Sequence, residues 1–330
     1  MNLDILAARA KIVSAIRRFF DDRGFIEVET AVRIAAPAPE EHIDCPIVLA
    51  RSSSVAGEPA KEDITYLRAS PELQMKKLLA EGMDKIYQIG PCFREGEKGS
   101  RHNPEFTMIE WYRRKAGYLD IKSDLENLLE QLGVGERCRC TMEGKSLPVL
   151  CTPTPKFYTL RVRDAYREYA GWDPWVGSWD QDRFDFDMAT KIEPAIKSIG
   201  GGVFLMDYPP QAASLAKISS SSSSSLIPHP SSLIPHPSSL PFAERWEFYW
   251  DGLELANCFT ELCDSEEQRT RFEAAKKARI LLKESDYPID NEFIECLPRI
   301  GSAAGVALGV DRLVMILTKT KEISAVRASL

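Results

Sequence analysis

Residues 86–113 read IYQIGPCFREGEKGSRHNPEFTMIEWYR, which is two strand-like runs on either side of a polar loop. The first run closes on Arg94, and the second alternates with the period of a strand. Alternation places its side chains on two opposite faces, with Phe106, Met108, Glu110 and Tyr112 on one and Thr107, Ile109 and Trp111 on the other. The pattern predicts a hairpin of two antiparallel strands.

The polar residues of this hairpin suit a nucleotide. The guanidinium of Arg94 is a planar fork of donors that matches a phosphate, and the ring of Phe106 can cover a purine. Carboxylates such as Glu110 can receive an amine. An amphipathic hairpin with a charged turn explains the same spacing, and the spacing alone favours neither interpretation.

A second informative stretch is GVALGVDRLVMIL at residues 305–317, where a strand with small residues runs into an apolar helix. Gly305, Ala307 and Gly309 share a face, so a ligand can lie against the backbone there. Asp311 is predicted at the N-cap or in the first helical turn, and Arg312 projects from a helix start that favours anions. Ordinary small-residue packing at a strand-to-helix turn is the alternative.

Together the two stretches resemble the class II aminoacyl-tRNA synthetases. Phe93-Arg94 with NPEF at 103–106 looks like motif 2 of that family, and GVDR at 309–312 looks like motif 3. The lysyl branch is the most similar. Within it the chain resembles the ligases that attach (R)-β-lysine to elongation factor P, on four segments: HNPEFTMIEWYR (102–113), DYPPQAASLAKIS (207–219), ELANCFTEL (254–262) and GVALGVDRL (305–313).

The resemblance implies an α+β fold, with a mainly antiparallel sheet flanked by helices. It implies one catalytic domain over residues 1–330, interrupted by a low-complexity insertion at about 219–241. Seven serines at 219–225 precede the repeat SSLIPHP, which occurs at 224–230 and again at 231–237. Such a polar, proline-broken segment cannot bury a core, so we expect a disordered surface insertion.

The resemblance also implies a site for ATP and Mg²⁺. Arg94 and Arg312 are the implied catalytic residues, Arg94 on the α-phosphate and the substrate carboxylate and Arg312 on the γ-phosphate. The implied ATP-binding set is Arg94, Glu95, Gly96, His102, Asn103, Phe106, Glu254, Leu255, Gly309 and Arg312. Carboxylate oxygens suit Mg²⁺, and Glu254 and Glu261 are its implied ligands.

Glu254 and Glu261 belong to the second strand of a hairpin whose turn is predicted at Asp251-Gly252. They are seven residues apart, so strict alternation puts them on opposite faces of the strand. Their convergence on one metal ion needs a bulge or bend between them. A solvated glutamate is the alternative for either.

The resemblance also implies a pocket for the amino-acid substrate. Its implied members are Ser70, Pro71, Glu72, Glu110, Tyr112, Asn257, Glu261 and Ala307. Ser70 as N-cap, Pro71 at the first helical position and Glu72 in the first turn also explain one another as a helix start. Ala307 stands where the synthetases usually have glycine, which favours (R)-β-lysine over lysine. One methyl group discriminates by only about 1–3 kcal/mol.

Other elements follow from periodicity. Apolar spacing predicts a helix at 4–20 and a strand at 25–30, which resemble motif 1 and imply a homodimer. Ala31 stands where motif 1 has a proline. Cys258 stands where the family has a glycine, and we expect it to narrow the strand locally and to modulate the pocket. Helices are predicted at 73–80, 118–132, 161–170 and 266–282, and a strand at 204–210. Loops are predicted at 36–44, 51–62 and 172–187.

Composition narrows the partners. With 42 basic and 49 acidic side chains the net charge is −7, and no basic stretch marks a tRNA surface. The chain begins at the motif 1 helix, which leaves no room for an anticodon-binding barrel, so tRNA is not the expected acceptor. No window reaches the length of a membrane span and no signal pattern precedes the first helix, so we expect a cytoplasmic protein. Eight scattered cysteines without a Cys-x-x-Cys pair indicate reduced thiols.

Two rival functions remain open from the sequence. One is a compact lysyl-tRNA synthetase that charges tRNA. The other is a catalytically inactive synthetase-like protein that serves as a regulatory sensor. Arg94, Glu254, Glu261 and Arg312 are all retained, and this favours an active enzyme.

Overall fold

The computed structural model describes residues 2–51, 62–134, 157–219, 240–282 and 284–328. The helices are α1 (Leu3–Asp21), α2 (Glu72–Ala80), α3 (Tyr118–Gln131), α4 (Val162–Ala165), α5 (Gln181–Asp187), α6 (Glu193–Ile199), α7 (Ser265–Leu281), α8 (Asn291–Ile300) and α9 (Val310–Thr318). The strands are β1 (Ile26–Glu27), β2 (Arg33–Ile34), β3 (Ile47–Arg51), β4 (Glu62–Leu67), β5 (Lys85–Phe93), β6 (Glu105–Arg114), β7 (Phe157–Arg161), β8 (Gly202–Tyr208), β9 (Ile218–Ser219), β10 (Phe242–Trp250), β11 (Leu253–Thr260) and β12 (Ala303–Gly309).

The strands form one large and one small sheet. The large sheet has nine strands in the order β1-β5-β6-β12-β11-β10-β8-β7, with β9 paired to β10. Only its two outer pairs, β1 with β5 and β7 with β8, are parallel. The small sheet has the order β2-β4-β3 and is antiparallel. The predicted α+β class with a mainly antiparallel sheet and flanking helices is therefore confirmed.

The hairpin predicted from residues 86–113 is present. β5 and β6 pair from Lys85 opposite Arg113 to Phe93 opposite Glu105. On its other side β6 pairs with β12, so the two informative stretches of the sequence are neighbouring strands at the centre of the sheet.

The two faces of β6 pack against different layers, as its alternation predicts. Ile109 and Trp111 are fully buried in a core that includes α1, α3 and α9. The ring of Phe20 from α1 lies 5.1 Å from that of Trp111. Tyr112 belongs instead to a second cluster with α2, α7 and α8. The cleft described below opens on the Tyr112 face.

Four predicted boundaries change. The strand predicted at 25–30 is only Ile26–Glu27, because side chains replace the ladder at its end: Gln88 accepts from the N–H and hydroxyl of Thr30, and Arg68 donates to the Thr30 carbonyl. Half of the loop predicted at 172–187 is α5, which Asp180 caps. The helix predicted at 161–170 is α4 followed by a short π-helix at Tyr166–Ala170.

The fourth boundary is the start of α2. Pro71 takes the cap position predicted for Ser70, and the Ser70 hydroxyl still accepts from the N–H of Glu72 at 3.0 Å. Gly309 similarly precedes α9 as its N-cap, so Asp311 lies in the first turn. The loop predicted at 51–62 and the insertion at 219–241 fall almost wholly outside the described residues. Within the described chain, no helix combines the length and apolar character of a membrane span.

Candidate active site

A cleft of about 520 Å³ lies over the centre of the sheet. Its floor comes from β6, β11 and β12, and the loop at residues 40–43 forms one wall. Arg279 of α7 is fully buried and holds that loop, donating to the carbonyl oxygens of Glu40 at 2.6 Å and Ile43 at 3.0 Å. The sequence predicted a proline-stiffened loop here and gave no signal that it borders the site.

Most of the predicted ATP-binding residues meet in this cleft. Those that line it are Arg94, His102, Asn103, Phe106, Glu254, Leu255, Gly309 and Arg312. The other two, Glu95 and Gly96, form the turn just beyond Arg94, where the Glu95 N–H donates to the carbonyl of Asp44 at 2.7 Å. Residues from segments that are distant in the sequence thus line one surface.

Arg94 is arranged to receive an anion. Its guanidinium lies 5.2 Å from the centre of the Phe106 ring and 3.5 Å from the carboxylate of Glu97. Its Nε is buried, and none of the described residues supplies a hydrogen-bond acceptor to it. A buried donor left without an acceptor is costly, so this atom fits a phosphate or carboxylate oxygen.

Arg312 also lines the cleft and has three partners, Glu254, His102 and the carbonyl of Arg101, to which its Nε donates at 3.4 Å. It donates to the main-chain carbonyl of Glu254 at 2.8 Å and approaches the carboxylate of that residue at 3.4 Å. Its Nη2 is 2.8 Å from Nε2 of His102. Arginine can only donate, so this nitrogen accepts and the ring is neutral. Partial burial and the Arg312 charge lower the pKa of His102, in agreement with that assignment.

Glu254 reaches the cleft because β11 contains the bulge that convergence with Glu261 requires. Phe248 pairs with Ala256, whereas the next residue, Tyr249, pairs with Glu254. Leu255 is therefore an extra residue in the strand, and it reverses the alternation beyond it. The carboxylates of Glu254 and Glu261 thereby come to the same side of the sheet.

A buried carboxylate, that of Glu110, lies behind the part of the lining formed by Ser70 and Tyr112. Glu110 is fully buried and accepts from the hydroxyls of Ser70 at 2.6 Å and Tyr112 at 2.8 Å. Burial and the nearby Glu72 raise the pKa of Glu110 to about 7. Burial and Glu110 raise the pKa of Tyr112 far above its usual range, so its hydroxyl stays protonated and donates.

Lys76 is a member of this site that the sequence interpretation missed. Its buried ammonium contacts the carboxylate of Glu72 at 2.5 Å and also that of Glu261. Burial raises the pKa of Glu261 to about 8, although Lys76 beside it lowers that pKa. The available signal was the spacing of Glu72 and Lys76, four residues apart on a short helix whose buried face includes the lysine.

The predicted amino-acid residues divide between the surface of the cleft and the layer behind it. Ser70, Glu72, Tyr112, Asn257 and Ala307 line the cleft. Pro71 precedes α2, and Glu110 and Glu261 lie behind the lining, held by the contacts described above. Glu254 fits a magnesium ligand, since its carboxylate lines the cleft beside Arg94 and Arg312. The pairing of Glu261 with Mg²⁺ stays a prediction, because its carboxylate contacts Lys76.

Ala307 and Cys258, the two substitutions noted near the predicted pocket, point to opposite sides of the sheet. Ala307 lies in the cleft between Asn257 on one neighbouring strand and Glu110 on the other. Cys258 points to the opposite side, where it is fully buried in the core with α3. Its side chain therefore does not line the pocket, contrary to the expectation that it modulates it.

The mainly antiparallel sheet with flanking helices is the fold of a class II aminoacyl-tRNA synthetase domain. A family model described as tRNA synthetases class II (D, K and N) matches residues 2–328, and the chain belongs to that family.

Curated relatives make the likeness narrower. The chain is 34% identical to a protein of Actinobacillus succinogenes named elongation factor P–(R)-β-lysine ligase, over 99% of this chain and 95% of that protein. It is 33% identical to the protein of that name from Proteus mirabilis, over 98% of this chain and 94% of the relative. For the relative of that name from Sodalis glossinidius the identity is 35%, with coverages of 98% and 94%.

Proposed function

We propose that this protein is an ATP-dependent, AMP-forming ligase that activates lysine, with (R)-β-lysine preferred, and transfers it to a lysine side chain of elongation factor P. One observation carries the proposal: a single cleft is lined by two arginines suited to a triphosphate and by Tyr112, behind which lies the buried carboxylate of Glu110, suited to an amine. The names and nearly equal lengths of the relatives support the choice of acceptor.

Activation of a carboxylate needs in-line attack of its oxygen on the α-phosphorus of ATP, with pyrophosphate leaving. The enzyme must bring two anions together and stabilise the charge that develops between them. Arg94 would bind the α-phosphate and the carboxylate at once, a role that its buried Nε without an acceptor among the described residues supports, and Phe106 next to it would offer a face for adenine. Arg312 receives the far phosphate, which replaces Glu254 as its partner.

Mg²⁺ bound through Glu254 would neutralise phosphate charge as pyrophosphate departs. At the other end the ammonium of the substrate side chain pairs with Glu110, which the hydroxyls of Ser70 and Tyr112 hold in place. The acyl-adenylate is already activated, so no nucleophilic residue of the enzyme is required. The uncharged amine of the acceptor lysine attacks its carbonyl carbon, and AMP leaves.

Exchange of labelled pyrophosphate into ATP tests the activation step. We expect (R)-β-lysine to support faster exchange than lysine, and equal or faster exchange with lysine contradicts the preference. Mass spectrometry of elongation factor P after incubation with ATP, Mg²⁺ and each isomer tests the transfer. An unmodified factor in the presence of active exchange contradicts the acceptor, and charging of purified tRNA supports the rival synthetase.

The clearest test of the triphosphate site is Arg312→Ala. Removal of a charge that stabilises the leaving pyrophosphate should slow exchange by about 100- to 1000-fold. Arg299→Ala is a matched control, because Arg299 is 56% exposed and pairs on the surface with Glu81. Normal exchange by the Arg312 variant contradicts the assignment of motif 3, whereas an absence of exchange by the wild type favours the catalytically inactive alternative.

We further propose that the protein is a cytoplasmic homodimer that pairs through α1 and β1. The edge position of β1 supports this, since Ile26 in that strand is 55% exposed. An exposed apolar side chain on an open strand edge is a place where a second chain can pack.

A further inference from the structure

Arg245 enters the cleft from β10 and is fixed there on several sides. Its guanidinium lies 4.3 Å from the centre of the Tyr208 ring, and its Nη2 contacts the carboxylate of Glu247 at 2.5 Å. Nη1 donates to the carbonyl of Ala212 at 2.9 Å. The other oxygen of Glu247 accepts from the Tyr249 hydroxyl at 2.7 Å. These contacts leave the Arg245 side chain little freedom to change its conformation when a ligand binds.

One N–H group of Arg245 donates a hydrogen bond to a side chain of the cleft. Its Nε lies 3.2 Å from Oδ1 of Asn257, and both residues line the cleft. An asparagine amide has an accepting and a donating end. Because arginine can only donate, the oxygen of Asn257 must face Arg245. The two N–H donors of the amide are then turned away from Arg245.

We propose that Arg245 is a positioning residue that fixes the amide polarity of Asn257, so that Asn257 donates to the carboxylate of the amino-acid substrate. The inference rests on the proposed function, because it takes the ligand to be an amino acid with an anionic end. Arg245 itself acts through Asn257, and its charge is balanced by Glu247. Without Arg245 the amide can rotate and present its oxygen to the carboxylate, which repels it.

Calorimetry can measure the affinity of the Arg245→Met variant for two ligands. The comparison distinguishes a loss of positioning from a general loss of structure. Lysine carries the carboxylate, and cadaverine is the same diamine without it. The variant should bind lysine about 10- to 100-fold more weakly, as expected for a lost hydrogen bond to a charged group. Its affinity for cadaverine should equal that of the wild type. Equal weakening of both ligands overturns the proposal.

A second arm uses Asn257→Ala. If Arg245 acts through Asn257, the double variant should bind lysine as weakly as Asn257→Ala alone, so the two changes are not additive. Additive losses mean that Arg245 acts on the ligand by another route, and they overturn the proposal. Arg163→Met is the control, since Arg163 lies over the ring of Trp175 and pairs with Asp173 outside the cleft.

If Arg245→Met does not fold, Arg245→Lys decides. It keeps the charge beside Glu247 but cannot donate to three acceptors in the fixed directions of a guanidinium. Selective loss of lysine affinity supports the proposal, and unchanged affinity overturns it. Wild-type pyrophosphate exchange reports separately on the proposed function: its absence with both lysine isomers refutes that function, while the binding comparison still reports on Arg245.

Discussion

Glu110 is a carboxyl group whose charge depends on what lies beside it. Three acids, Glu72, Glu110 and Glu261, lie near one another in a buried site, where Lys76 contacts Glu72 and Glu261 and the charge of Arg68 acts on Glu110. The uncompensated acids are costly to ionise there, which is why burial raises the pKa of Glu110 to about 7. If the proposed function holds, a substrate ammonium would supply the missing cation, so that binding of lysine and ionisation of Glu110 would favour each other.

This coupling predicts a pH dependence. Below the raised pKa Glu110 is neutral and attracts the substrate ammonium weakly, so KM for lysine should fall as pH rises from about 6 to about 8. Glu110→Gln should raise KM and remove most of that dependence, because the amide does not titrate. Initial rates of pyrophosphate exchange across this range measure both. A wild-type KM that is independent of pH would contradict the charge assignment.

The stability of the free enzyme should fall over the same pH range in which the affinity for lysine rises. A carboxyl whose pKa is raised in the folded state binds its proton more tightly there than in the unfolded chain. Its contribution to stability is therefore complete below the unfolded pKa and is lost as pH rises through the folded value. The thermal shift caused by lysine should consequently grow with pH, and thermal melts with and without lysine measure it.

At the scale of elements, three strands place the site. β6 supplies Phe106, Glu110 and Tyr112 from one face, as its alternation predicted. β11 supplies Glu254 and Asn257 only because of its bulge, which the sequence required but did not locate. β12 leaves room for the Tyr112 ring, because Gly305, directly across from Tyr112, has no side chain. A Cβ added to Gly305 would lie 2.1 Å from that ring.

Gly305→Ala should therefore displace Tyr112 and disturb its bond to Glu110. Overpacking at so short a distance should cost about 3 kcal/mol or more of unfolding free energy. Gly309→Ala on the same strand is the stability control, since its Cβ would meet only ordinary contacts at 3.8 Å. Urea unfolding of both variants measures the difference. Equal stability would show that the Tyr112 ring can move at little cost.

An ion pair joins the first helix to the two central motifs. Arg9 of α1 donates to Asp311 of α9 at 2.6 Å and to the hydroxyl of Thr107 on β6 at 2.8 Å. Asp311 also accepts from the Thr107 N–H at 3.1 Å and is only 2% exposed. The residue before Arg312 is thus anchored to α1, which neither motif predicts alone.

Arg9→Met should destabilise the protein by about 3 kcal/mol, because it leaves a buried carboxylate without its cation. The double variant Arg9→Met with Asp311→Asn should lose less, since the unpaired charge is gone. Arg17→Met is a control on the same helix: its partner Glu27 is 37% exposed, and exposed pairs contribute about 1 kcal/mol or less. An equal loss of stability in the Arg9 and Arg17 variants would mean that the buried ion pair contributes no more than the exposed one.

For the whole molecule, the nine-stranded sheet draws on residues from Ile26 to Gly309. We propose on this ground that the described residues form one domain, because β6 from the first half of the chain pairs with β12 from the second half. The relatives of similar length fit the same extent.

Oligomeric state is a property of that whole. If the chain dimerises through α1 and β1, sedimentation equilibrium of the wild type should give twice the chain mass of 37.1 kDa. Ile26→Glu should shift it toward the monomer, because a charge is buried at the interface. Val176→Glu should not, although Val176 is 68% exposed. A monomeric wild type would refute the dimer.

The sequence by itself determined the central hairpin, the faces of β6, the strand-to-helix turn at Arg312 and the class of the fold. These depend on local periodicity and on short motifs, which the order of residues specifies directly. Only the tertiary structure decided that Lys76 pairs with Glu261, that Arg245 holds Asn257 and that Cys258 faces the core. Those contacts join residues far apart in the chain, and a bulge of one residue reverses which of them can meet.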